Sequence, residues 1–195
     1  NLLSRLLAFA GYQHRLYLEC LPGSSGHNAT NAESVDVREL ETKDADAFVA
    51  FRQGPDADLF LARLQRGQRC FAAFVGSRLA SVSWAVKNQA TLWALNADFY
   101  VEDGTAYIFD SYTHPEFRGK RLQSSIFQTI CEYCKDKKIG KIVTFVAATN
   151  NANLRSRARL GFAVTGAVRR LRFGPLVWYL STGSAPELER HGSRK

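Results

Sequence analysis

The order of hydrophobic and polar residues along the chain predicts a mixture of strands and helices. Apolar residues stand at every second position or in short runs in several segments, and they recur at helical spacing in four others. The predicted strands are 12–20, 34–40, 69–75, 79–87, 105–113, 141–147, 162–173 and 176–180, and residues 88–104 hold either another strand or an excursion. The predicted helices are 42–52, a segment that ends near Gly67, 120–138 and 150–160.

From residue 34 onwards the predicted order is β, α, α, β, β, β, α, β, α, β, β, which indicates an α/β (α+β) fold. The unit 105–147 is expected to be a right-handed parallel crossover inside a mixed sheet. Residues 22–34 are polar and rich in Gly, Ser and Asn, and the tail from Ser181 is rich in Ser, Gly and charge. We therefore expect an N-terminal extension and linker at 1–33, one domain at 34–180 and a disordered tail at 181–195.

One stretch, TAYIFDSYTHPEFRGKRLQS at 105–124, carries the clearest functional signal. It begins as a strand, crosses a His-Pro turn and enters a helix through a basic loop that contains Gly119. The N-terminus of a helix offers free backbone N–H groups and the positive end of the helix dipole. The stretch therefore predicts a binding site for phosphate groups.

The charge of the chain is unevenly distributed. Residues 1–117 hold 10 Lys/Arg and 14 Asp/Glu, a net −4, whereas residues 118–195 hold 16 and 4, a net +12. The basic half thus begins within the loop just described. A multiply phosphorylated ligand explains this coincidence; a solvated basic surface and nucleic acid are the alternatives.

No apolar run approaches the roughly 20 residues of a membrane span. The leucines near the start of the chain suit a short amphipathic helix, either packed on the domain or, as the alternative, anchored at a membrane surface. They are Leu2, Leu3, Leu6 and Leu7.

Cys131 and Cys134 form a CxxC pair within a predicted helix, with no second pair and no histidine cluster nearby in the sequence. We expect both on the core face of that helix and expect no metal site. Because no disulfide pattern is present, the sequence predicts a cytoplasmic protein.

Two motifs in the chain resemble those of the GNAT (Gcn5-related) N-acetyltransferase superfamily. The main family signature, often written Pro-x-Tyr-Arg-Gly-x-Gly, stands here as PEFRGKR followed by LQS, at 115–124. The second, an asparagine followed eleven positions later by Gly-Phe, stands at Asn150 and Gly161-Phe162. Both motifs occur in the family's order, and the resemblance extends from about Ser34 to Leu180.

This resemblance implies a mixed, mostly antiparallel sheet that is splayed between the family's fourth and fifth strands and flanked by helices. It also implies an N-acyltransferase that moves an acetyl or other acyl group from acyl-CoA directly to a primary amine in a ternary complex. The implied co-substrate is acetyl-CoA, without a metal. A small-molecule amine is the expected acceptor, and the protein is expected to be a monomer or homodimer.

The residues that would bind acetyl-CoA follow from the family motifs. Backbone N–H groups from Gly119 to Ser124 would surround the pyrophosphate, and the strand before the loop would lie along the pantetheine arm. The implied positions are Ser111, Tyr112, Thr113, Arg118, Gly119, Lys120, Arg121, Leu122, Gln123, Ser124, Asn150, Asn153 and Arg157.

The chain departs from the family pattern at three of these positions. Arg121 replaces the second glycine, which requires a negative φ if strain is to be avoided. Gln123 replaces a small residue. Arg157 stands where the family often has a tyrosine, the proposed general acid; an arginine stays protonated and could only stabilise a thiolate or hold a phosphate.

The candidate catalytic residues are Asp110, Ser111 and Ser156. Asp110 lies among apolar residues of a predicted strand, so it is either a catalytic or substrate-binding carboxylate or the partner of an arginine. Ser156 is the remaining candidate for the acid. Four aromatic residues either line an acceptor pocket or belong to the core: Trp84, Trp93, Phe99 and Tyr107.

Two other functions remain open at the level of the sequence. The donor could be an acyl carrier protein, as in N-acyl amino acid synthases, because carrier proteins are acidic and the second half of this chain is basic. The chain could instead be a basic module that binds nucleic acid. It lacks, however, the interspersed aromatic and basic residues typical of proteins that bind single strands, and it has no recognised DNA-binding motif.

Overall fold

The computed structural model describes residues 10–23, 35–52 and 57–192. The strands are β1 (Ala10–Cys20), β2 (Val35–Glu39), β3 (Arg69–Val75), β4 (Arg78–Val86), β5 (Asn88–Leu92), β6 (Ala97–Val101), β7 (Thr105–Thr113), β8 (Lys141–Ala147), β9 (Ala163–Phe173), β10 (Leu176–Gly183) and β11 (Glu189–Arg190). The helices are α1 (Ala45–Arg52), α2 (Ala57–Gln65), α3 (Leu122–Asp136) and α4 (Asn151–Arg159). None of these helices is long and apolar enough to cross a membrane.

Eight strands form one large sheet in the order β10-β9-β1-β8-β7-β4-β3-β2, and β11, β6 and β5 form a smaller sheet. The pair β7–β8, joined through α3, is parallel, and the other neighbouring strands of the large sheet are antiparallel. The predicted mixed, mostly antiparallel sheet with a parallel crossover is confirmed.

The parallel pair is short. Thr105–Tyr107 pair with Lys141–Val143, after which β7 continues to Thr113 and β8 to Ala147 without pairing to each other. One further link, from the Thr144 hydroxyl to the Ile108 carbonyl at 2.9 Å, spans the start of the gap. The two strands therefore separate, which is the splay that the family resemblance implies.

The two faces of the large sheet are covered by different elements. On one face, α3 buries Leu122, Ile126 and Phe127 against Ala106 and Ile108 of β7. The other face is covered by α1, α2 and the small sheet. Successive side chains of β7 therefore point alternately into the cores on the two faces of the large sheet. Cys131 and Cys134 are buried on the core face of α3, as expected, and the chain's four cysteines are free thiols.

Strand β1 corrects the expected domain boundary. It lies inside the large sheet, where Arg15 is opposite Ala147 of β8 and Val168 of β9. Tyr17 and Leu18 are buried on opposite faces, so residues 10–20 are part of the domain rather than an extension. The predicted amphipathic segment at Leu2, Leu3, Leu6 and Leu7, and residues 24–34 of the predicted linker, lie outside the described residues.

The expected disordered tail is also corrected, up to residue 192. Strand β10 continues to Gly183 opposite Gly166, and Glu189 pairs with Asp98 of β6. His191 Nδ1 lies 2.8 Å from an oxygen of Asp98. A composition rich in Ser and Gly predicts disorder, but here the two facing glycines allow a close strand approach that no Cβ could enter.

Candidate active site

The loop between β7 and α3 combines two left-handed backbone conformations. Gly119 has φ +83° and Arg121, the residue that precedes α3, has φ +56°. No backbone hydrogen bond within the described residues engages the N–H of either residue. The first residues of a helix have no intrahelical acceptor for their N–H groups, so the loop presents donors suited to an anion. The Ser124 N–H is an exception to the expected set, because it donates to the Arg121 carbonyl at 2.8 Å.

The conformation of Arg121 contradicts the sequence expectation of a negative φ. The left-handed region costs a residue with a Cβ about 1–2 kcal/mol, and Arg121 accepts this cost at the position where the family has glycine. The loop therefore has a left-handed backbone conformation at this position, although an arginine stands where the family has its second glycine.

Gln123 replaces a small family residue because it fills an irregularity in the sheet. The pairing of β4 with β7 shifts between Val82 and Trp84. The Gln123 side-chain amide donates to the Ser81 hydroxyl at 2.8 Å and to the Val82 carbonyl at 3.0 Å. Gln123 thus ties the first turn of α3 to β4 at the point where the strand pairing shifts.

Replacing Gln123 by alanine should lower the free energy of unfolding by about 1–2 kcal/mol, because it removes a donor from partly buried acceptors. The matched control is Gln128→Ala on the same helix. The exposed Gln128 amide lies 3.5 Å from Glu132, and the expected change is below about 0.5 kcal/mol. Urea denaturation of the two variants checks this. Equal losses would mean that Gln123 contributes no more than a surface residue.

Beside the loop lies a groove of 600 Å³, here called the loop groove. Its lining residues are Thr113, Phe117, Arg118, Gly119, Arg121, Leu122, Gln123, Ser124, Ser156, Arg159 and Leu160. Three of them are exposed arginines and none is acidic. The groove therefore combines positive charge with unpaired backbone N–H groups, both of which favour phosphate groups.

A second cavity of 380 Å³ lies where β7 and β8 separate, and is called the strand-gap cavity. It is lined by Arg15, Arg63, Thr91, Leu92, Trp93, Ala94, Tyr107, Phe109, Asp110, Ser111, Thr144, Phe145, Asn153 and Arg157. Helix α4 contributes to both spaces, with Ser156 and Arg159 in the loop groove and Asn153 and Arg157 in the strand-gap cavity. The two spaces thus lie on either side of the same helix.

Arg157 is 6% exposed, and burial lowers the pKa of its guanidinium to about 10. Its Nη2 donates to the Ser111 hydroxyl at 3.0 Å, and that hydroxyl lies 2.7 Å from the Ser83 hydroxyl. No carboxylate of the described residues forms an ion pair with it. Arg157 lines the strand-gap cavity and not the loop groove, a position that does not support its expected role as a phosphate ligand.

Asp110 is held by two arginines. Its carboxylate oxygens accept from Arg52 at 2.9 Å and from Arg63 at 2.7 Å, and its backbone has φ +46°. The two guanidinium groups also stack on aromatic rings, Arg52 on Tyr112 and Arg63 on Trp84. This is the ion-pair alternative of the sequence analysis, and it ties α1 and α2 to the end of β7.

The other predicted site residues fall outside both spaces. The Tyr112 ring packs edge-on against Phe51, and Lys120 lies over the Phe117 ring at 5.9 Å. Asn150 begins α4, and its side chain accepts from the Asn153 N–H at 3.1 Å.

Of the four aromatic candidates, the strand-gap cavity includes Trp93 and Tyr107, whereas Trp84 and Phe99 are core residues. Sequence reasoning missed Arg15 and Arg63 as cavity residues. Arg15 was assigned to an extension, and no local pattern indicates that β1 enters the sheet.

Solved structures share the fold at low sequence identity. A protein assigned to the GNAT family from Novosphingobium aromaticivorans is 14% identical, with TM-score 0.56 over 85% of this chain and 67% of its own. A ribosomal-protein-alanine N-acetyltransferase from Brucella melitensis is 17% identical, with TM-score 0.52 over 67% of this chain and 93% of its own. An aminoglycoside acetyltransferase from an uncultured soil sample, in complex with sisomicin, is 11% identical, with TM-score 0.51 over 64% of this chain and 86% of its own.

No curated protein matches the chain. Among protein families, the Acetyltransferase (GNAT) family matches residues 35–162. This range runs from β2 to Phe162 and contains the loop, the splayed strands and α4. Because the match covers more than half of the sequence, the chain belongs to the Acetyltransferase (GNAT) family.

Proposed function

We propose that this protein transfers an acyl group from acyl-CoA to a primary amine, with acyl-CoA in the loop groove and the amine in the strand-gap cavity. The observation that carries the proposal is the loop at Gly119 and Arg121, with its unpaired N–H groups beside three arginines. A pyrophosphate with further phosphate groups needs donors and positive charge of this kind.

The residues present fit the phosphate end of such a ligand. Arg118, Arg121 and Arg159 supply charge, and Gly119 leaves open space, since a Cβ built there meets nothing within 4 Å. The edge of β7 beyond Tyr107 has no strand partner on the β8 side, so its backbone groups can pair with an extended arm. The thioester of acyl-CoA supplies the activated acyl carbon.

Direct transfer requires an uncharged amine and no covalent intermediate on the protein. The amine nitrogen attacks the thioester carbon, the C–S bond breaks, the amine loses a proton and the sulfur gains one. The chain's cysteines support a direct route: all four are buried, none lines either cavity, and burial raises the pKa of Cys70, Cys131 and Cys134. Ser111 lines the strand-gap cavity and joins Arg157 to Ser83, and we assign its hydroxyl to proton transfer.

Acetyl-CoA or CoA at about 100 times its dissociation constant should raise the melting temperature by about 5–10 °C. Gly119→Glu should abolish this rise, because a carboxylate would then face the phosphates. Gly67→Glu is the matched control. Gly67 also has a positive φ, +76°, a Cβ built there also meets nothing within 4 Å, and Gly67 does not line the loop groove. Differential scanning fluorimetry measures both.

Absence of a shift in the wild-type protein at millimolar CoA would contradict the proposal. An acyl carrier protein is the alternative donor, and a shift with holo-carrier protein but not with CoA would support it. Equal shifts in Gly119→Glu and Gly67→Glu would mean that CoA binds elsewhere.

A further inference from the structure

Arg157 is a buried cation without an anionic partner among the described residues. Taking a guanidinium out of water costs several kcal/mol unless an opposite charge or full hydrogen bonding compensates it. The guanidinium has five donors, and the hydrogen bond it makes to a described side chain is the one to Ser111. The guanidinium also lies over the Phe162 ring at 5.5 Å, and Arg157 is one of the residues that line the strand-gap cavity.

The other charges of this cavity do not neutralise Arg157. Asp110 is the acidic residue among the lining residues, and its two oxygens are taken by Arg52 and Arg63. Arg15 adds a further positive charge from β1. Both Arg15 and Arg157 act on the buried Tyr107 hydroxyl: burial raises the pKa of Tyr107, and the two arginines oppose that rise. The two cations therefore face a shared space.

The size and remaining lining of the cavity limit what could supply the missing charge. A volume of 380 Å³ lies at the small end of ligand sites, which run from about 300 to 1,000 Å³. Trp93, Tyr107 and Phe109 supply apolar walls, and Thr91 and Asn153 supply polar groups. A small, partly apolar ligand with one anionic group suits this lining, whereas a polycation would be repelled by it.

We propose that the acceptor amine carries a carboxylate, as a free amino acid does, and that Arg157 and Arg15 bind this carboxylate in the strand-gap cavity. The inference rests on the proposed acyl transfer and names its substrate class. Arginine favours carboxylates because its planar fork donates two parallel hydrogen bonds to the two oxygens. The amine of the same molecule is then held beside the strand gap, where the acyl group would arrive.

The test compares each of the twenty amino acids with its own carboxamide, which keeps the amine and the side chain but lacks the negative charge. In the presence of CoA, we expect at least one amino acid to raise the melting temperature while its carboxamide does not. With acetyl-CoA, thiol release should give that amino acid a kcat/KM about 100-fold above that of the carboxamide. Amino alkyl phosphates form a third arm and distinguish a phosphate site from a carboxylate site.

Arg15→Met should reduce the preference for the carboxylate to below about tenfold, mainly through KM, and leave the shift with CoA alone unchanged. Arg155→Met is the control, because Arg155 is exposed on α4 and lines neither space. A panel in which no carboxylate surpasses its carboxamide, or in which polyamines or phosphates are preferred, overturns the inference. If only the substrate class is wrong, CoA still raises the melting temperature. If the proposed acyl transfer is wrong, CoA does not raise the melting temperature and no thiol is released.

Discussion

Replacing Arg157 by methionine is expected to raise the free energy of unfolding by about 1–2 kcal/mol while lowering kcat/KM by about 100-fold. Methionine fills much of the arginine's volume without a charge to desolvate, and apolar replacement of buried charges is often stabilising. The same change removes the guanidinium of a residue that lines the strand-gap cavity. Urea denaturation and thiol release from acetyl-CoA, measured on one preparation, give both quantities.

The opposite signs of the two effects make this result informative. Functional sites keep groups that destabilise the fold, so a gain in stability with a loss of activity identifies such a group. Arg155→Met, on the exposed side of the same helix, should change both quantities little. If Arg157→Met instead destabilised the protein by several kcal/mol, Arg157 would be a structural residue with a partner that its contacts do not include.

Replacing Asp110 by asparagine should lower the free energy of unfolding by about 2–3 kcal/mol and reduce turnover more than it weakens CoA binding. Asparagine tolerates the left-handed backbone of this position, so the loss comes from the charge. Without the Asp110 carboxylate, the guanidinium groups of Arg52 and Arg63 lose their shared anionic partner. Their side chains are only 20% and 12% exposed. We expect the pH dependence of the residual turnover to stay that of the wild type.

A double-mutant cycle with Arg52→Met tests the cause. If Asp110 is the shared partner of the arginines, the cost of the double variant should fall short of the sum of the single costs by at least about 1 kcal/mol. A loss of turnover without any loss of stability, together with a changed pH profile, would instead make Asp110 the base that the sequence analysis considered.

The elements around the loop could be predicted because their signals are local. The helical spacing of Leu122, Ile126 and Ile130 defines α3, and the basic stretch after Pro115 marks its beginning. The family motifs then predicted the splay between the strands before and after α3. These features depend on residues close in sequence, which is why reading the sequence is sufficient for them.

The features that could not be predicted depend on partners far away in the chain. The pattern of β1 predicts a strand but does not indicate that β8 and β9 leave room for it. Arg121 shows that a loop can keep its left-handed conformation without the glycine that usually signals it. Which of the two spaces Arg157 lines depends on how α4 is rotated about its axis. Arg157 lies on the same face of α4 as Asn153, four residues earlier, and not on the face of Ser156.

The position of β1 also determines when this sheet can be completed. Its residues come near the beginning of the chain, yet Arg15 pairs opposite Ala147 and Val168, so these contacts close the longest loops in the fold. Closing long loops slows folding, because their entropy is lost before the contacts repay it. During synthesis β1 emerges before β8 and β9 and cannot pair with them until they have followed. We expect its insertion to be the slow step of folding, so hydrogen exchange pulsed during refolding should protect β1 after β3 and β4.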